Sequence, residues 1–445
     1  MIKNKECVLV KNYWFFGLVI IFSLFLGGCN SSPSNSEDLT IPENPEDIEG
    51  DVTVWAWALE ANYLEKDVLP EFNKKYPNVN VTVEHLGVDQ VYQKLSAGLS
   101  SGGSGLPDLI QVENNRIHSF TNEFKDPFVN LSALGYDQHE AKFSQSKVEG
   151  LKDSEGNIIA APRDLGPVGV IYRTDIFEEV GIDPRSIETW DDYIEVGKKV
   201  VAHTGKAFLG TDSEGLLRIM LQQQGKYYFT GDGKLDLTSP EAKKAAEILQ
   251  KMKDAGIIIY TNNWDGQVSA MKNSEVATQP GAVWWSGTML EQMPELSGKW
   301  DMFKLPAIEE GGVRAANDGG SALAIPSSSD NKVAAYALAE FASTDVDSQI
   351  KALTNRGLFP ALLAAYEEPI FTENQEYFNS QPFFTKFAET VPEILAINHA
   401  PAELELRSIM SSEFQAFLLE DKPAQQMLED GEKQAQQQTG LEVSK

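Results

Sequence analysis

Two periodicities alternate along this chain. Residues 51–57, DVTVWAW, and residues 78–86, NVNVTVEHL, switch between apolar and polar at every second position, as half-buried strands do. Between them ANYLEKDVLPEFNKKY brings Tyr63, Leu64, Leu69, Phe72 and Tyr76 near one helical face, and Pro70 predicts a kink or a restart there. DQVYQKLSAGLSSGG reads as a helix with Asp89 as its N-cap, PDLIQV as a short buried strand and NRIHSFTNEF as another helix.

The scheme repeats further on. PVGVIYR is a strand, and TWDDYIEVGKKVVAHTG is a helix capped by Thr189. In SPEAKKAAEILQKMKDAG, Ser239 is the cap, Pro240 the first helical residue and Gly256 the stop. SEVATQPGAVWW returns to strand, GGSALAIP adds one more, and KVAAYALAEFAS and DSQIKALTNRG add two helices. The tail from Pro382 reads as almost entirely helical. Alternating strand and helix predict an α/β protein with mixed, mainly parallel sheets flanked by helices. At 445 residues, two lobes are expected rather than one core.

The ends qualify that length. Lys3, Lys5 and Lys11 precede an apolar run at residues 14–26, too short to span a membrane and suited to a signal peptide. LGGC at residues 26–29 resembles the lipobox of bacterial lipoproteins, which implies lipidation of Cys29 and removal of residues 1–28. Residues 29–50, rich in Ser, Pro, Asn and acids, read as a flexible tether. Of the two cysteines, Cys7 leaves with the leader, so the mature chain can form no internal disulfide.

Charge narrows the partners. Lys and Arg number 37 against 66 Asp and Glu, a net charge of −29 that argues against nucleic acid and against electrostatic membrane binding. Metal and nucleophile chemistry find little support. His85, His118, His139, His203 and His399 are scattered, and SSGGSGLPD lacks the Lys-Ser/Thr of a phosphate loop. TGDGKLDL reads as a hairpin turn at Asp232-Gly233 rather than a calcium loop. No cofactor or metal is expected.

Aromatic and polar residues instead gather at strand ends, where open α/β sheets bind ligands. Trp57 and Glu60 follow the first strand; Glu113, Asn114, Asn115 and Arg116 follow PDLIQV; Arg163 and Asp164 precede PVGVIYR; and NNWDGQ and VWWSG bring Trp264, Asp265, Trp284 and Trp285. Flat rings with acids and amides suit a neutral, hydroxyl-rich ligand. In a strand, Trp284 and Trp285 point to opposite faces, so one enters the core and the other the cleft, with Trp285 expected as the platform. Trp55, among valines, reads as core, Asp265 also as a helix cap, and Arg356 also as a helix C-terminal charge.

VTVWAWALEANYLEKDVLPEFNKKYPNVNVTVE, VYQKLSAGLSSGGSGLPDLIQVENNRI, GPVGVIYRTDIFEEVGIDP, EVATQPGAVWWSG and GGSALAIP together resemble the carbohydrate-specific extracellular solute-binding proteins (family 1) of ABC importers. The resemblance implies a two-lobed periplasmic-binding-protein-like fold (type II). Residues 51–164 plus 320–358 would form the first lobe and 165–319 plus 359–445 the second, with a sugar clamped between them. It implies crossovers near 163–167, 317–321 and 357–360. Its ligand contacts would be Trp57, Glu60, Glu113, Asn114, Arg116, Asp164, Trp264, Asp265, Trp284, Trp285, Gly320, Ser321 and Arg356. Arg163, where relatives often carry an aromatic ring, would bear on which sugar is preferred. The implied protein is a monomeric, non-enzymatic receptor, lipid-anchored at Cys29 on the outer face of the bacterial cell membrane, that serves ABC permease subunits. Two rivals stay open. One is an anchored carbohydrate-active enzyme using Glu60, Glu113 or Asp164 as a carboxylate pair; the other keeps the fold and binds a peptide, polyamine or anion.

Overall fold

The structure is a computed structural model that describes residues 39–445; the expected signal peptide, Cys29 and most of the expected tether lie outside the described residues. In chain order the strands are β1 (Gly50–Ala56), β2 (Val79–His85), β3 (Leu109–Glu113), β4 (Ala161–Pro162), β5 (Asp164–Leu165), β6 (Val168–Arg173), β7 (Ala207–Thr211), β8 (Ile258–Tyr260), β9 (Val276–Ala282), β10 (Trp300–Lys304), β11 (Ser321–Ala324) and β12 (Phe359–Pro360). They form two five-stranded sheets, ordered β2-β1-β3-β11-β4 and β10-β6-β9-β7-β8, and a two-stranded link, β12-β5.

Each large sheet is mixed. β1 pairs in parallel with β2 and β3, and β7 with β8 and β9, but β11 runs antiparallel to β3 and β4, and β6 antiparallel to β9 and β10. The antiparallel share exceeds the mainly parallel expectation for a topological reason. β6 and β11 enter their sheets from crossovers, not from the helix of a parallel strand-helix-strand unit, so nothing obliges them to run with their neighbours.

The crossovers lie side by side. Asp164–Leu165 pairs with Phe359–Pro360, and Pro167 bridges Asn317. The Gly166 N–H donates to Asn317 Oδ1 at 2.9 Å, while the Asp318 N–H donates back to the Gly166 carbonyl at 2.8 Å. A Cβ on Gly166 would sit 2.0 Å from that Asp318 carbonyl oxygen, so only glycine lets the two passes touch.

Local signals account for most helices. Thr189 and Asp192 form a reciprocal capping box on Trp190–Thr204, and Ser239 caps Pro240–Asp254 with Pro240 at its first position. The helix near Pro70 restarts as expected: Ala58–Tyr63 passes through a π-helical turn, Leu64–Val68, into Leu69–Lys75. Two expectations change. Gly87, not Asp89, holds the N-cap position of Val88–Ser100, and Asp89 falls in its first turn. The tail is broken: after Phe383–Ala388 the chain is largely irregular until Glu403–Leu419. That gap faces the cleft.

The second lobe's core runs from Val170 and Trp190 to Leu406, Phe414 and Met427, so the C-terminal helices belong to it. The first lobe's apolar cluster includes Trp55, Leu95, Val112 and Ile117. Trp55 is a core residue, as its valine neighbours imply.

Candidate functional site

A cleft of about 340 Å³ lies between the lobes. From the first lobe come Glu113, Asn114 and Lys147; from the crossover, Asn317, Asp318 and Gly319; from the second lobe, Arg218, Tyr227, Trp284, residues 394–397, His399, Glu403 and Arg407.

The first-lobe wall begins where β3 ends. Glu113 closes the strand and Asn114 opens the helix Asn114–Glu123, so both side chains emerge at the sheet's carboxyl edge. Glu113 Oε2 accepts from the Tyr92 hydroxyl at 3.1 Å and pairs with Arg116 Nε at 2.8 Å, while the Arg116 guanidinium lies 4.0 Å over the Tyr92 ring. Arg116 therefore orients Glu113 without lining the cleft. Lys147, nearly inaccessible, reaches up from the short helix Gln145–Glu149. Its ammonium donates to Asn114 Oδ1 at 2.8 Å and to the carbonyls of Asp164 at 2.7 Å and Ser321 at 2.6 Å, binding β3, the first crossover and the start of β11 in one knot. Burial pushes its pKa down to about 7, and the nearby Asp164 carboxylate pulls the other way.

Asp164 and Ser321 complete that knot. Asp164 Oδ1 accepts from the Ser321 N–H at 2.8 Å and the Ser321 hydroxyl at 2.6 Å, so both serve the hinge. Gly320, at φ +95°, is required there because a Cβ would stand 2.7 Å from the Asp164 carbonyl oxygen.

On the second-lobe wall the strand reading of the tryptophan pair fails. β9 ends at Ala282, Trp284 occupies the N-cap position and Trp285 starts the helix Trp285–Gln292. The two rings consequently stack, centroids 5.6 Å apart at 26°, instead of pointing to opposite faces. Trp264 packs on Trp285 at 4.2 Å. Trp285 is 2 % exposed and lies beneath the surface, whereas Trp284 lines the cleft and donates from Nε1 to the Asp318 carbonyl at 2.9 Å. The ring facing the main cleft is Trp284. Trp264, 37 % exposed, opens its helix after Asn263, and it is Asn263, not Asp265, whose side chain caps that helix. Asp265 is exposed in the first turn.

Arg218 ties this wall to the second crossover, donating to Glu214 at 3.1 Å and Asp318 at 3.0 Å. Burial acts to raise the Asp318 carboxyl, but the cations Arg218 and Arg407 hold it below the usual range. At the cleft's far side His118, from the first lobe, stacks on His399 of the second at 5.8 Å, and His399 pairs with Glu403 at 2.6 Å. Burial and the neighbouring His399 keep the His118 pKa low.

Asp164, Gly320, Ser321 and Asp265, like Arg116, do not line the cleft, and three more expected contacts sit elsewhere. Trp57 packs against the first-lobe cluster, 6.3 Å from the Tyr92 ring, with its backbone N–H donating to Gln111 Oε1. Glu60 is fully buried, paired with Arg163 at 2.9 Å; Arg163 also donates to Gln349 and lies over the Tyr63 ring. Neither Glu60 nor Arg163 lines the cleft. Burial pushes Glu60 up to about 7 against the pull of Arg163. Arg356, at the end of Val346–Arg356, pairs with Asp67 at 3.0 Å.

Sequence reasoning did not single out Lys147, Arg218, Tyr227, Glu403 or Arg407. Each sits in an ordinary amphipathic or polar stretch, and only long-range packing brings it to the cleft. Among the described residues no cluster of His, Cys, Asp and Glu is arranged to hold a metal.

A lactose-binding protein of Rhizobium radiobacter is 31 % identical over 395 residues, 87 % of this chain and 92 % of its own. An arabinooligosaccharide-binding protein of Halalkalibacterium halodurans is 29 % identical over 376 residues, 79 % of each chain. Among solved structures, an extracellular solute-binding protein of family 1 shares the fold with a TM-score of 0.77 at 23 % identity, covering 87 % of this chain and 99 % of its own. A binding protein of an ABC transporter from B. animalis subsp. lactis, in complex with β-1,6-galactobiose, gives 0.72 at 23 % identity, covering 89 % and 100 %. Residues 57–347 match the family of bacterial extracellular solute-binding proteins, and this chain belongs to that family.

Proposed function

We propose that this protein captures an extracellular sugar or oligosaccharide between its lobes and delivers it to the permease of an ABC importer, without cleaving it. The observation that carries this reading is the charge balance of the cleft. In a protein of net charge −29, the lining cations Lys147, Arg218 and Arg407 are matched by Glu113, Asp318 and Glu403 around the Trp284 ring. Such a wall suits a neutral ligand with a flat apolar face and many hydroxyls. A polyamine or an anion would instead favour one sign in excess.

The relatives named for lactose and arabinooligosaccharides support the same ligand class. The enzyme reading is disfavoured by the commitments of its candidate carboxylates. Glu60 is held by Arg163, Asp164 by Ser321 and Glu113 by Arg116 and Tyr92. A Cys29 lipid anchor would keep the receptor beside its permease.

Calorimetric titration with lactose, β-1,6-galactobiose, arabino-oligosaccharides and maltose tests the proposal. Saturable binding of at least one, with no new reducing ends on long incubation, is expected. No heat across the panel, or hydrolysis at enzyme-like rates, would sink it. Cys29→Ser is expected to move the protein from the membrane to the soluble fraction; unchanged membrane retention would defeat the anchor.

A further inference from the structure

A smaller pocket of about 130 Å³ opens beside the main cleft on the second lobe. The two spaces share Arg218, Ile219, Trp284 and Asp318, so Trp284 stands between them. Trp264 and Trp285 wall the smaller space, and Gln267 and Gln279 add its amides.

Those two amides differ. Gln267 donates from Nε2 to the Gly210 carbonyl at 3.3 Å. Gln279 donates to the Pro280 carbonyl at 3.0 Å, but its Oε1 is buried without a hydrogen-bond partner, on a side chain only 3 % exposed. A buried acceptor left unpaired costs about 1–3 kcal/mol, and here it stands in the wall of a pocket. The strand explains how it got there. Thr278, its neighbour in β9, bonds to Tyr193 and the Phe208 carbonyl inside the core, so Gln279 must take the other face. Two residues on, Gly281 lets the Trp285 ring lie against that face as the pocket's wall: a Cβ there would stand 2.7 Å from Trp285 Cδ1.

We propose that the smaller pocket is a second sugar subsite, that the ligand therefore has at least two rings, and that Gln279 Oε1 accepts a hydroxyl hydrogen from the ring that enters it. This rests on the sugar reading above and narrows it. The ligand bends around the edge of Trp284, one ring in the cleft and one against Trp264 and Trp285.

The test is calorimetry on the full chain, comparing lactose, β-1,6-galactobiose, arabinotriose and maltose with galactose, arabinose and glucose. The best oligosaccharide is expected to bind at least about tenfold tighter than its own monosaccharide, the worth of one well-made hydrogen bond. Gln279→Met should weaken that oligosaccharide by a similar factor while leaving monosaccharide affinity unchanged and without lowering the melting temperature, since it removes an unpaired acceptor. Unchanged oligosaccharide affinity in Gln279→Met, or a parallel loss for mono- and oligosaccharide, would overturn the subsite. A monosaccharide that binds as tightly as any oligomer overturns it too and leaves the sugar reading standing. If no sugar on the panel binds, both fall together.

Discussion

On the first lobe's wall the charged groups are engaged before any ligand arrives: Lys147 on three acceptors, Glu113 on Tyr92 and Arg116, Asp164 on Ser321. On the second lobe's wall Trp284 offers a ring, and Gln279 beside it holds an acceptor without a donor. In the proposed reading the first wall is a frame whose shape is set by the crossovers, and the ligand would gain its new contacts from the Trp284 ring and Gln279 on the second. Substitutions on the first should therefore act through the fold, and those on the second through affinity.

The largest effect should come from the first lobe's buried ion pair. Glu60→Ala leaves Arg163 buried without its partner and should cost on the order of 3–5 kcal/mol of stability, seen as a lower denaturant midpoint. If Glu60→Gln abolishes sugar binding with the fold intact, Glu60 is a ligand contact after all and the contrast breaks. Lys147→Met should follow at about 3 kcal/mol, because it strands Asn114 Oδ1 and two carbonyls at the crossing of the lobes. A loss of sugar affinity without loss of stability would move Lys147 from frame to contact. Trp284→Ala should leave stability within about 1 kcal/mol yet weaken sugar binding about tenfold, through the lost ring face.

A pH effect comes next. Burial raises Glu60 from 4.5 to about 7, so the folded state holds its proton more tightly than the unfolded chain. Its contribution to stability is fully present below about 4.5 and is lost as pH rises through about 7. Glu60→Gln should flatten that slope in urea titrations between pH 4.5 and 7, and an unaltered slope would assign it to another group. The smallest effect is on the helix of Trp264. Asn263→Ala should cost about 1 kcal/mol, and Asp265→Ala less than about 0.5, since the cap is Asn263; the reverse order would restore Asp265 as the cap.

The sequence made the alternation and the helix caps legible because those signals are local. Thr189 with Asp192 and Ser239 with Pro240 announce their helices within four residues. The tryptophan pair misled because SEVATQPGAVWW carries an apolar strand composition to its end, while tertiary packing turns the chain after Ala282. Lys147 was hidden for the opposite reason. SQSKVEG reads as a solvated helix, and the acceptors that Lys147 serves lie as far as 174 residues away. The break at residues 394–402 did leave a trace. Pro401 disfavours helix at Ala400, and His399 and the four residues at 394–397 thereby reach the cleft.

The pairing of Asp164–Leu165 with Phe359–Pro360, flanked by the bridge from Pro167 to Asn317, has a mechanical meaning. Adjacent passes of chain act as a single pivot, and displacement under bending grows with distance from it. Trp284, moored to the Asp318 carbonyl, rides close to the axis, whereas His118 and His399 meet across the two lobes. On the proposed reading, the part of the tryptophan emission change that Trp284→Ala removes would gauge occupancy, and a pair of spin labels near residues 118 and 399 would gauge the motion of one lobe against the other, so the two signals can be recorded separately.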